Sequence, residues 1–491
     1  MTESVDDPSA PVPPAAAPAA AQPPRLNSLK WFYGLGSVAF AVKNGGAGFL
    51  LLFYNQVLGL SPAVVGLAIL ATALLDAFID PAIGYFSDNF RSRLGRRHPF
   101  MYAALLPGVI AFAMLLNPPH LDHAALGLYL FVVYAAVRVL FSCFEIPNNA
   151  LLPELTHDYD ERTSFVSLRT FLGGIGGTTM LFVTYQVFLV PTPQQPAGLL
   201  NGHGYNTYGI VAAILVFIIA LISAIGTHRA IPYLRQPPPK ARPNLFRALR
   251  VILTTLTDRS VVVLLICGVI WAVAAGVTGS LTNYLNIYFW ELTAKQISWF
   301  QVATFLSFVL AVVIAPWASR KIGKKATAIA GAIVWFVFGP APIALRFLGF
   351  FPENGSPWLL PMLIFFMSIH LSIGVVSSML VGSMMADVVE SAEIKTGRRS
   401  EGLLSAASAF IAKSSGGFGV SVAGFLLVFV HFPQKAQPHH VAQGALDSLA
   451  IVYAVVLFGF YGVAAIILSA YTITRARHSA NLDQLAARRS A

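Results

Sequence analysis

The stretch AVVGLAILATALLDAFIDPAIGYFSDNFRSRLGRRHP, residues 63–99, decides the class of fold. Its first part, residues 63–75, is an apolar run, and Asp76 and Asp80 lie at the end of that run, directly before a cluster of arginines. Apolar blocks of about 20 residues are long enough to cross a bilayer as a helix. The stretch therefore predicts a membrane helix that carries two carboxylates among apolar residues and ends in a basic loop.

Composition indicates a membrane protein along the whole chain. Of the 491 residues, 56% are hydrophobic and only 11% are charged, whereas a soluble domain carries about 25% charged residues. Because the apolar blocks are too long for barrel strands, we predict an all-α integral membrane fold of twelve transmembrane helices. The helices are predicted at 31–57, 63–86, 99–117, 123–151, 164–192, 207–229, 261–290, 294–318, 326–347, 357–386, 403–431 and 446–474.

Two similar motifs divide these helices into two groups of six. SRLGRR (92–97) follows the second helix, and SRKIGKK (319–325) follows the eighth. Two six-helix halves in parallel topology are typical of transporters that rock around a central site. The predicted parts are a disordered Pro/Ala-rich tail (1–26), an N-terminal half (27–229), a cytoplasmic linker (230–258), a C-terminal half (259–474) and a cytoplasmic tail (475–491).

Positive charge is distributed unevenly between the two ends of the predicted helices. Of the 32 lysines and arginines, 25 fall in the tails, in the even-numbered loops or at the helix ends beside them, three in or beside the odd-numbered loops, and four deeper within helices. Cytoplasmic loops are enriched in lysine and arginine. We therefore predict a multi-pass protein of the cell membrane, the inner membrane in a bacterium, with both termini cytoplasmic. The same bias explains the net charge of +11, so the lipid bilayer and not a nucleic acid is the expected partner.

Asp76 and Asp80 are four residues apart and share one helix face. A charge near the bilayer centre costs about 2.5–3.5 kcal/mol on insertion scales, so two charges there are expected to have a function or compensating partners. Two carboxylates this close either share a proton or hold a cation such as Na⁺. The alternative is a structural role, in which both are salt-bridged to the arginine loop 91–97.

The fourth predicted helix carries Arg138, Ser142 and Glu145 on one face. Arg138 either belongs to a wider charge network or simply neutralises Glu145. Pro147 is expected to break this helix just after Glu145 and to leave the two amides of Asn148 and Asn149 available.

Further charges lie within other predicted helices. Arg169 is in the fifth helix, Lys413 in the eleventh, and Lys43 with Asn44 among glycines in the first. Three acids thus face three or four bases from both halves, too many buried charges for a purely structural bundle. The pattern predicts a cavity that holds a cation and a polar solute.

Three segments resemble one family of transporters. They are DAFIDPAIGYFSDNFRSRLGRRHPF (76–100), EIPNNALLPELTHDYDERTSFVSLR (145–169) and MADVVESAEIKTGRRSEGLLSAASAFIAK (385–413). The first is similar to the D-x-x-x-D-P-x-x-G…S-R-x-G-R-R-x-P signature of the glycoside–pentoside–hexuronide:cation symporters, the melibiose-permease branch of the major facilitator superfamily. The resemblance implies the fold of that superfamily and cation-coupled transport of a solute.

The resemblance also implies roles for individual residues. The implied cation site consists of Asp76, Asp80, Ser142 and Glu145, with no metal beyond a Na⁺ at the two aspartates. The implied solute site consists of Glu145, Asn149, Arg169, Lys413, Lys43 and Asn44. The predicted gating network consists of Arg138 with Arg93, Arg96 and Arg97, and it latches the cytoplasmic side through charge pairs.

Departures from the family pattern bear on specificity. Ile79 stands where sodium-using relatives have an asparagine, and this favours H⁺. Asn149 stands where the family has an aromatic residue that stacks on sugar. The acid of the first helix that binds sugar hydroxyls has no clear counterpart, and Lys43 and Asn44 lie about a turn beyond its position.

The sequence is therefore interpreted as a cation:solute symporter that works by alternating access as a monomer. We expect H⁺ or Na⁺ as the coupling ion, no other cofactor, and a sugar or glycoside as the solute. The alternatives are a symporter of a lysolipid or another amphiphile, an uncoupled facilitator or channel, and a membrane-embedded enzyme acting on lipids. An enzyme is disfavoured because no loop carries a metal cluster or a nucleophile–base pair. Cys143 and Cys267 lie in apolar stretches and are expected to be free thiols.

Overall fold

The computed structural model describes residues 26–156, 158–193, 195–233, 259–396 and 401–471. These residues fold into helices joined by short loops, and no sheet occurs among them. The predicted tails and the predicted linker 230–258 lie almost wholly outside the described residues.

Twelve long helices run through the described part of the chain. They are α1 (Asn27–Val57), α2 (Pro62–Asn89), α3 (His98–Leu115), α4 (His123–Leu155), α5 (Glu161–Phe188), α6 (Gly202–His228), α7 (Arg259–Phe289), α8 (Ala294–Ile322), α9 (Lys324–Phe347), α10 (Leu359–Thr396), α11 (Glu401–Phe429) and α12 (Gln443–Ser469). Eleven are long and apolar enough to cross a membrane. In α11, the described apolar stretch is Lys413–Phe429. The predicted all-α membrane fold of twelve helices is confirmed.

The helix ends agree with the prediction to about five residues, except at the end of α10. The apolar pattern predicts an end at residue 386, whereas α10 continues to Thr396. The additional turns are polar and rich in good helix formers. A hydropathy pattern does not detect these turns, because it identifies only the apolar part of a helix that lies in the hydrocarbon of the bilayer.

Proline does not break α4, and the expected break is wrong. The helix runs from His123 to Leu155 with Pro147 and Pro153 inside it, and α2 likewise passes through Pro81. A proline removes one helical hydrogen bond, but neighbouring helices in a bundle hold the backbone in place. Asn149 therefore belongs to a continuous helix and not to a loop.

Helix pairing repeats after six helices. In the first half, α1 packs on α5 and α6, α4 packs on α2 and α3, and α3 packs on α6. In the second half, α7 packs on α11 and α12, α10 packs on α8 and α9, and α9 packs on α12. The main contacts between the halves are α2 with α11 and α5 with α8. A shift by six helices converts each of these two pairs into the other. The two halves are therefore parallel repeats related by a pseudo-two-fold axis, as the duplicated motif predicts.

The bundle has two faces, which we name by the course of α1. The proximal face is the one at which α1 begins, and it carries the loop 90–97 and the turn at residue 323. The distal face is the one at which α1 ends, and it carries the loops 58–61, 189–201, 290–293 and 430–442.

Buried hydrogen bonds join the two halves at the distal face. The Tyr284 hydroxyl donates to Asn55 Oδ1 at 2.9 Å, and the Tyr288 hydroxyl donates to Gln56 Oε1 at 3.0 Å. Gln56 also bonds two backbone groups in the loop between α11 and α12, at 2.9 and 3.0 Å. All four side chains are buried. The structure is thus closed between its halves at the distal face.

Glycines allow α2 and α11 to approach closely across the boundary between the halves. A Cβ on Gly424 would lie 2.2 Å from the carbonyl oxygen of Pro62, and a Cβ on Gly66 would lie 2.8 Å from the Cα of Ser421. Larger residues at these positions would force the two backbones apart.

Gly424→Val should therefore destabilise the protein, because the added carbons meet backbone atoms that cannot rotate away. We expect a loss of about 1–3 kcal/mol, measured as a lower Tm of the detergent-purified protein. Gly268→Val in α7 is the matched control, since a Cβ there meets nothing within 4 Å. Equal Tm values for the two variants would contradict the close contact.

Candidate functional site

A cavity of about 510 Å³ lies between the two halves, and this volume is in the range of small-molecule sites. Helices α1 to α4 form one wall, and α7 with α11 forms the other. The polar and charged side chains on the walls are Lys43, Asn44, Asp76, Tyr134, Arg138, Ser142, Glu145, Ser280 and Lys413. The sequence predicts seven of these nine and does not predict Tyr134 or Ser280.

Asp76 is buried and bound to Arg138. Both Nε and Nη2 of Arg138 lie 2.6 Å from Asp76 Oδ2, so the pair ties α2 to α4 within the first half. Tyr134, one turn before Arg138, holds the guanidinium from the other side through its hydroxyl at 3.4 Å and its ring at 5.6 Å. The spacing of Tyr134 and Arg138 at i and i+4 is the sequence signal that could have identified this contact.

Asp80 forms an ion pair with Lys413. Lys413 belongs to α11, so this pair joins the first half to the second. The alternative, in which both aspartates are salt-bridged to the loop 91–97, is wrong. The reason is that two bases within the bundle, Arg138 and Lys413, pair with the aspartates instead.

The two carboxylates do not depend on one shared partner, since each has its own base. Each also retains a buried Oδ1 atom without a hydrogen-bond partner among the described residues. Pro81 has no N–H, so the carbonyl of Ala77, between the two aspartates, lacks its usual helical donor. These oxygens are the groups in α2 to which a proton or a small cation could bind.

Glu145 and Lys43 face the same cavity without ion pairs of their own. The alternative in which Arg138 simply neutralises Glu145 is wrong, because Arg138 reaches across to α2 instead. Among the described residues, Glu145 makes neither an ion pair nor a hydrogen bond. The Lys43 ammonium lies 5.5 Å from the centre of the Phe141 ring and has no carboxylate within ion-pair distance. Ser142, one turn before Glu145 on the same wall, is buried.

Arg169 and Asn149, both predicted to bind solute, are not on the cavity wall. Arg169 stacks on Tyr33 at 5.6 Å and donates to the Tyr33 hydroxyl at 3.3 Å, so it ties α5 to α1. Asn149 is half-buried, and its Oδ1 has no partner among the described residues. Their roles in solute binding stay predictions.

The second half contributes a wall of small residues opposite the charged helices. Gly276 and Gly279 come from α7, and Gly416 and Gly417 come from α11. Lys413 is the only charged side chain that the described residues of this half place on the cavity wall. Chemical specificity is therefore concentrated in α1, α2 and α4.

The basic loop after α2 pairs with the ends of helices in its own half. Arg96 Nη2 and Arg97 Nη2 lie 2.6 and 2.5 Å from Glu154 Oε1, and Arg97 also lies 3.2 Å from Asp88. Arg93 is exposed. Among the described residues, none of these arginines pairs with the second half, so the predicted latch is not formed in this conformation, and its gating role stays a prediction.

The second half carries an equivalent pair at the same place in its repeat. Lys324 at the start of α9 binds both oxygens of Asp387 in α10, at 2.8 and 2.9 Å. Lys324 directly follows the glycine of its motif, as Arg96 follows Gly95, and Asp387 lies towards the end of the fourth helix of its half, as Glu154 does.

Comparison with known proteins agrees with this geometry. A family model described as "MFS/sugar transport protein" matches residues 32–475. The chain is 26% identical to the "Isoprimeverose transporter" of Lactiplantibacillus pentosus, over 87% of this chain and 84% of that protein. It is 25% identical to the "Glucuronide carrier protein homolog" of Escherichia coli (strain K12), over 90% of this chain and 92% of that protein.

Solved structures show the same fold at low sequence identity. The inward open conformation of the xylose transporter XylE from E. coli matches 94% of this chain and 99% of its own, with a TM-score of 0.59 and 16% identity. A bacterial homologue of the iron transporter ferroportin, in an inward-facing state, matches 91% of this chain and 98% of its own, with a TM-score of 0.62 and 12% identity. The chain belongs to the MFS/sugar transport protein family, among the glycoside–pentoside–hexuronide:cation symporters of the major facilitator superfamily.

Proposed function

We propose that the protein is a symporter that couples the movement of a proton to that of a sugar or glycoside by alternating access. One observation carries the proposal: Lys413, on the wall of the cavity between the halves, forms an ion pair with Asp80, and the two residues belong to different halves. A change in the charge of either member alters the attraction between the halves, as coupling of an ion to a conformational change requires.

Asp80 is the coupling carboxylate in this proposal, and Asp76 has a supporting role. The Asp80 side chain is 20% exposed, whereas the Asp76 side chain is 3% exposed. Asp80 is therefore the more accessible of the two carboxylates. A proton on Asp80 cancels its attraction for Lys413 and loosens α2 from α11, while Asp76 and Arg138 stay together within one half.

The charges around the site favour a proton over Na⁺. Arg138 occupies Asp76 Oδ2, and Lys413 occupies Asp80 Oδ2. A sodium ion would need several free oxygens and would lie close to two cationic side chains. A proton needs one carboxylate, and it removes the charge that Lys413 was balancing.

The solute and the orientation are part of the same proposal. The names of the relatives, an isoprimeverose transporter and a glucuronide carrier homologue, support a sugar or glycoside as the solute. We place the proximal face in the cytoplasm, with both termini there, in the inner membrane of a bacterium. The distal hydrogen bonds then close the outer side, and the structure represents an inward-facing state of a monomer without enzymatic activity.

Transport into proteoliposomes tests the proposed function. The purified protein should concentrate at least one member of a panel of sugars and glycosides when an inward proton gradient is imposed. Uptake that only reaches equilibrium would indicate an uncoupled facilitator, and concentration of a lysolipid instead of every sugar would indicate the amphiphile-carrying alternative.

Asp80→Asn should abolish this accumulation while solute exchange across the membrane continues, because an amide cannot take up the coupling proton. Accumulation should fall to the equilibrium level, measured with the sugar that the wild type concentrates. Asp447→Asn, near the start of α12, is the control and should accumulate normally. Full accumulation by the Asp80→Asn variant would show that the coupling site lies elsewhere.

An inward sodium gradient at fixed pH, with no proton gradient, should not drive accumulation. The physical reason is the lack of free oxygen ligands beside Arg138 and Lys413. Strong concentrative uptake under these conditions would contradict proton coupling and would require further oxygen ligands around Asp76 and Asp80.

Gln56→Ala should shift the protein towards opening at the distal face, because it removes three hydrogen bonds between the halves. The measurement is the labelling rate of Ser280→Cys in the cavity by an impermeant maleimide added at the distal side. The two native thiols, which are free as predicted, are replaced by alanine in all proteins compared.

The labelling rate in the Gln56→Ala protein should rise several-fold over that of the parent. Gln443→Ala, exposed at the start of α12, is the control and should leave the rate unchanged. An equal rate in all three proteins would mean that the distal hydrogen bonds do not limit opening.

A further inference from the structure

Four non-glycine residues of the described chain lie in the left-handed region of the backbone, and all four belong to loops of the distal face in the second half. Glu291 (φ 53°) is in the loop between α7 and α8, and His431 (φ 54°), Lys435 (φ 49°) and His439 (φ 65°) are in the loop between α11 and α12, which we call the distal loop (430–442). Side chains rarely adopt this region, and where they do the surroundings hold them there. Backbone strain is therefore concentrated at one face of one half.

The distal loop is also a segment through which the second half contacts the first. The backbone N–H of Ala436 donates to Gln56 Oε1 at 2.9 Å, and Gln56 Nε2 donates to the carbonyl of Pro433 at 3.0 Å. The Lys435 side chain packs on Gly59, where a Cβ would lie 2.5 Å from the Cε of the lysine. These contacts between the halves require the present shape of the distal loop.

His439 occupies a position at which the turn favours glycine. Pro438 precedes it, and the N–H of His440 donates to the carbonyl of Gln437 at 3.1 Å, which closes a four-residue turn. With proline at its second position and a positive φ at its third, such a turn prefers glycine or asparagine at the third. Glu291 likewise follows the end of α7, where a left-handed residue is most often glycine. Two residues with titratable side chains thus occupy positions that favour glycine.

These two side chains form an ion pair. His439 Nδ1 lies 2.9 Å from Glu291 Oε1, and the pair ties the distal loop to the loop after α7. Helix α7 carries Tyr284 and Tyr288, which bond the first half, so the pair connects two segments that close the distal face. The imidazole carries a charge only when it is protonated, and histidine changes its charge between about pH 5 and 8. The strength of this connection therefore depends on pH.

Few other titratable groups face His439. A cavity of about 380 Å³ lies beside the pair, and its walls come from the loop between α5 and α6, from the chain around the junction of α7 and α8, and from the distal loop. The wall residues of the first half are prolines, alanine, glycine and leucine, and those of the second half add one titratable side chain to the pair, His440. Within the distal loop, the Lys435 side chain extends to the first half, and His431 is exposed. Glu291 is thus the only acid that the described wall presents to His439.

We propose that the distal loop is a pH-sensitive switch: a proton on His439 completes the ion pair with Glu291, and the pair holds the strained loop in the shape that keeps the distal face closed. At acidic pH the ion pair is present and opposes opening. As the pH rises the proton leaves, a neutral contact replaces the ion pair, and relief of the backbone strain favours opening. Acid on the distal side therefore slows opening of the distal face, whichever ion and solute the protein carries.

Labelling of Ser280→Cys by an impermeant thiol reagent from the distal side, in the protein without its two native thiols, measures this opening. At about pH 5.5, His439→Gln and Glu291→Gln should each label about two- to fivefold faster than the parent, in the range for loss of an exposed ion pair. At about pH 8 the three labelling rates should agree. The proteins are compared at the same pH, so titration of the thiol and of Asp80 affects all of them alike.

Two further variants separate the ion pair from its surroundings. His440→Gln removes the neighbouring histidine of the same cavity and should label as the parent does at both pH values. His439→Gly removes the ion pair and the strain together, so at both pH values it should label more slowly than His439→Gln. The Tm of each variant is measured to confirm folding.

Each comparison has a result that contradicts the inference. Equal labelling rates for the parent and His439→Gln at the acidic pH would overturn the switch. An equally fast rate in His440→Gln would overturn the specific pairing of His439 with Glu291. Equal rates for His439→Gly and His439→Gln would overturn the role of backbone strain. None of these measurements uses solute uptake, so failure of the proposed symport would leave the switch standing.

Discussion

The structure depends on the compensation of charges that lie among apolar helices. Each charge near the bilayer centre costs about 2.5–3.5 kcal/mol on insertion scales, and removal of one member of a buried pair leaves the other uncompensated. Asp76 is balanced by Arg138, and Asp80 is balanced by Lys413. Lys43 and Glu145 also lie on the cavity wall, and neither has an ion-pair partner among the described residues.

Two sets of polar contacts join the halves, and they differ in how they would respond to a proton. At the distal face the contacts are neutral hydrogen bonds, such as those from Tyr284 to Asn55 and from Tyr288 to Gln56. Beside the cavity the contact is an ion pair, Asp80 with Lys413, and a proton on Asp80 would abolish it. In the proposed mechanism, protonation therefore changes the balance between the two sets, as coupling in a rocking bundle requires.

The sequence predicts the helices and most of the cavity, but not the pairing of its charges. Helix spans follow from apolar length alone. An ion pair between Lys413 and the acids of α2 could be expected, because the sequence places no acid close to Lys413 on its own helix. The partner of Arg138 could not be predicted, since Glu145 lies two turns away on the same face, and only the packing of α2 on α4 places Asp76 closer. The contact of Arg169 with Tyr33 could not be predicted for a similar reason, because a helix pattern does not reveal which side chain a neighbouring helix presents.

The two halves repeat the same arrangement of helices, but they contribute differently to the cavity. Base and acid occupy equivalent positions at the proximal ends, Arg96 with Glu154 in one half and Lys324 with Asp387 in the other. These pairs belong to the repeated arrangement of helices, and each stays within its half. At the cavity the symmetry is lost, because α1, α2 and α4 carry five of the six charges in and beside it, while α7 and α11 contribute mainly glycines and Lys413. In the proposed mechanism the first half therefore binds the solute and the ion, and Lys413 is the group through which the second half responds to the charge of Asp80.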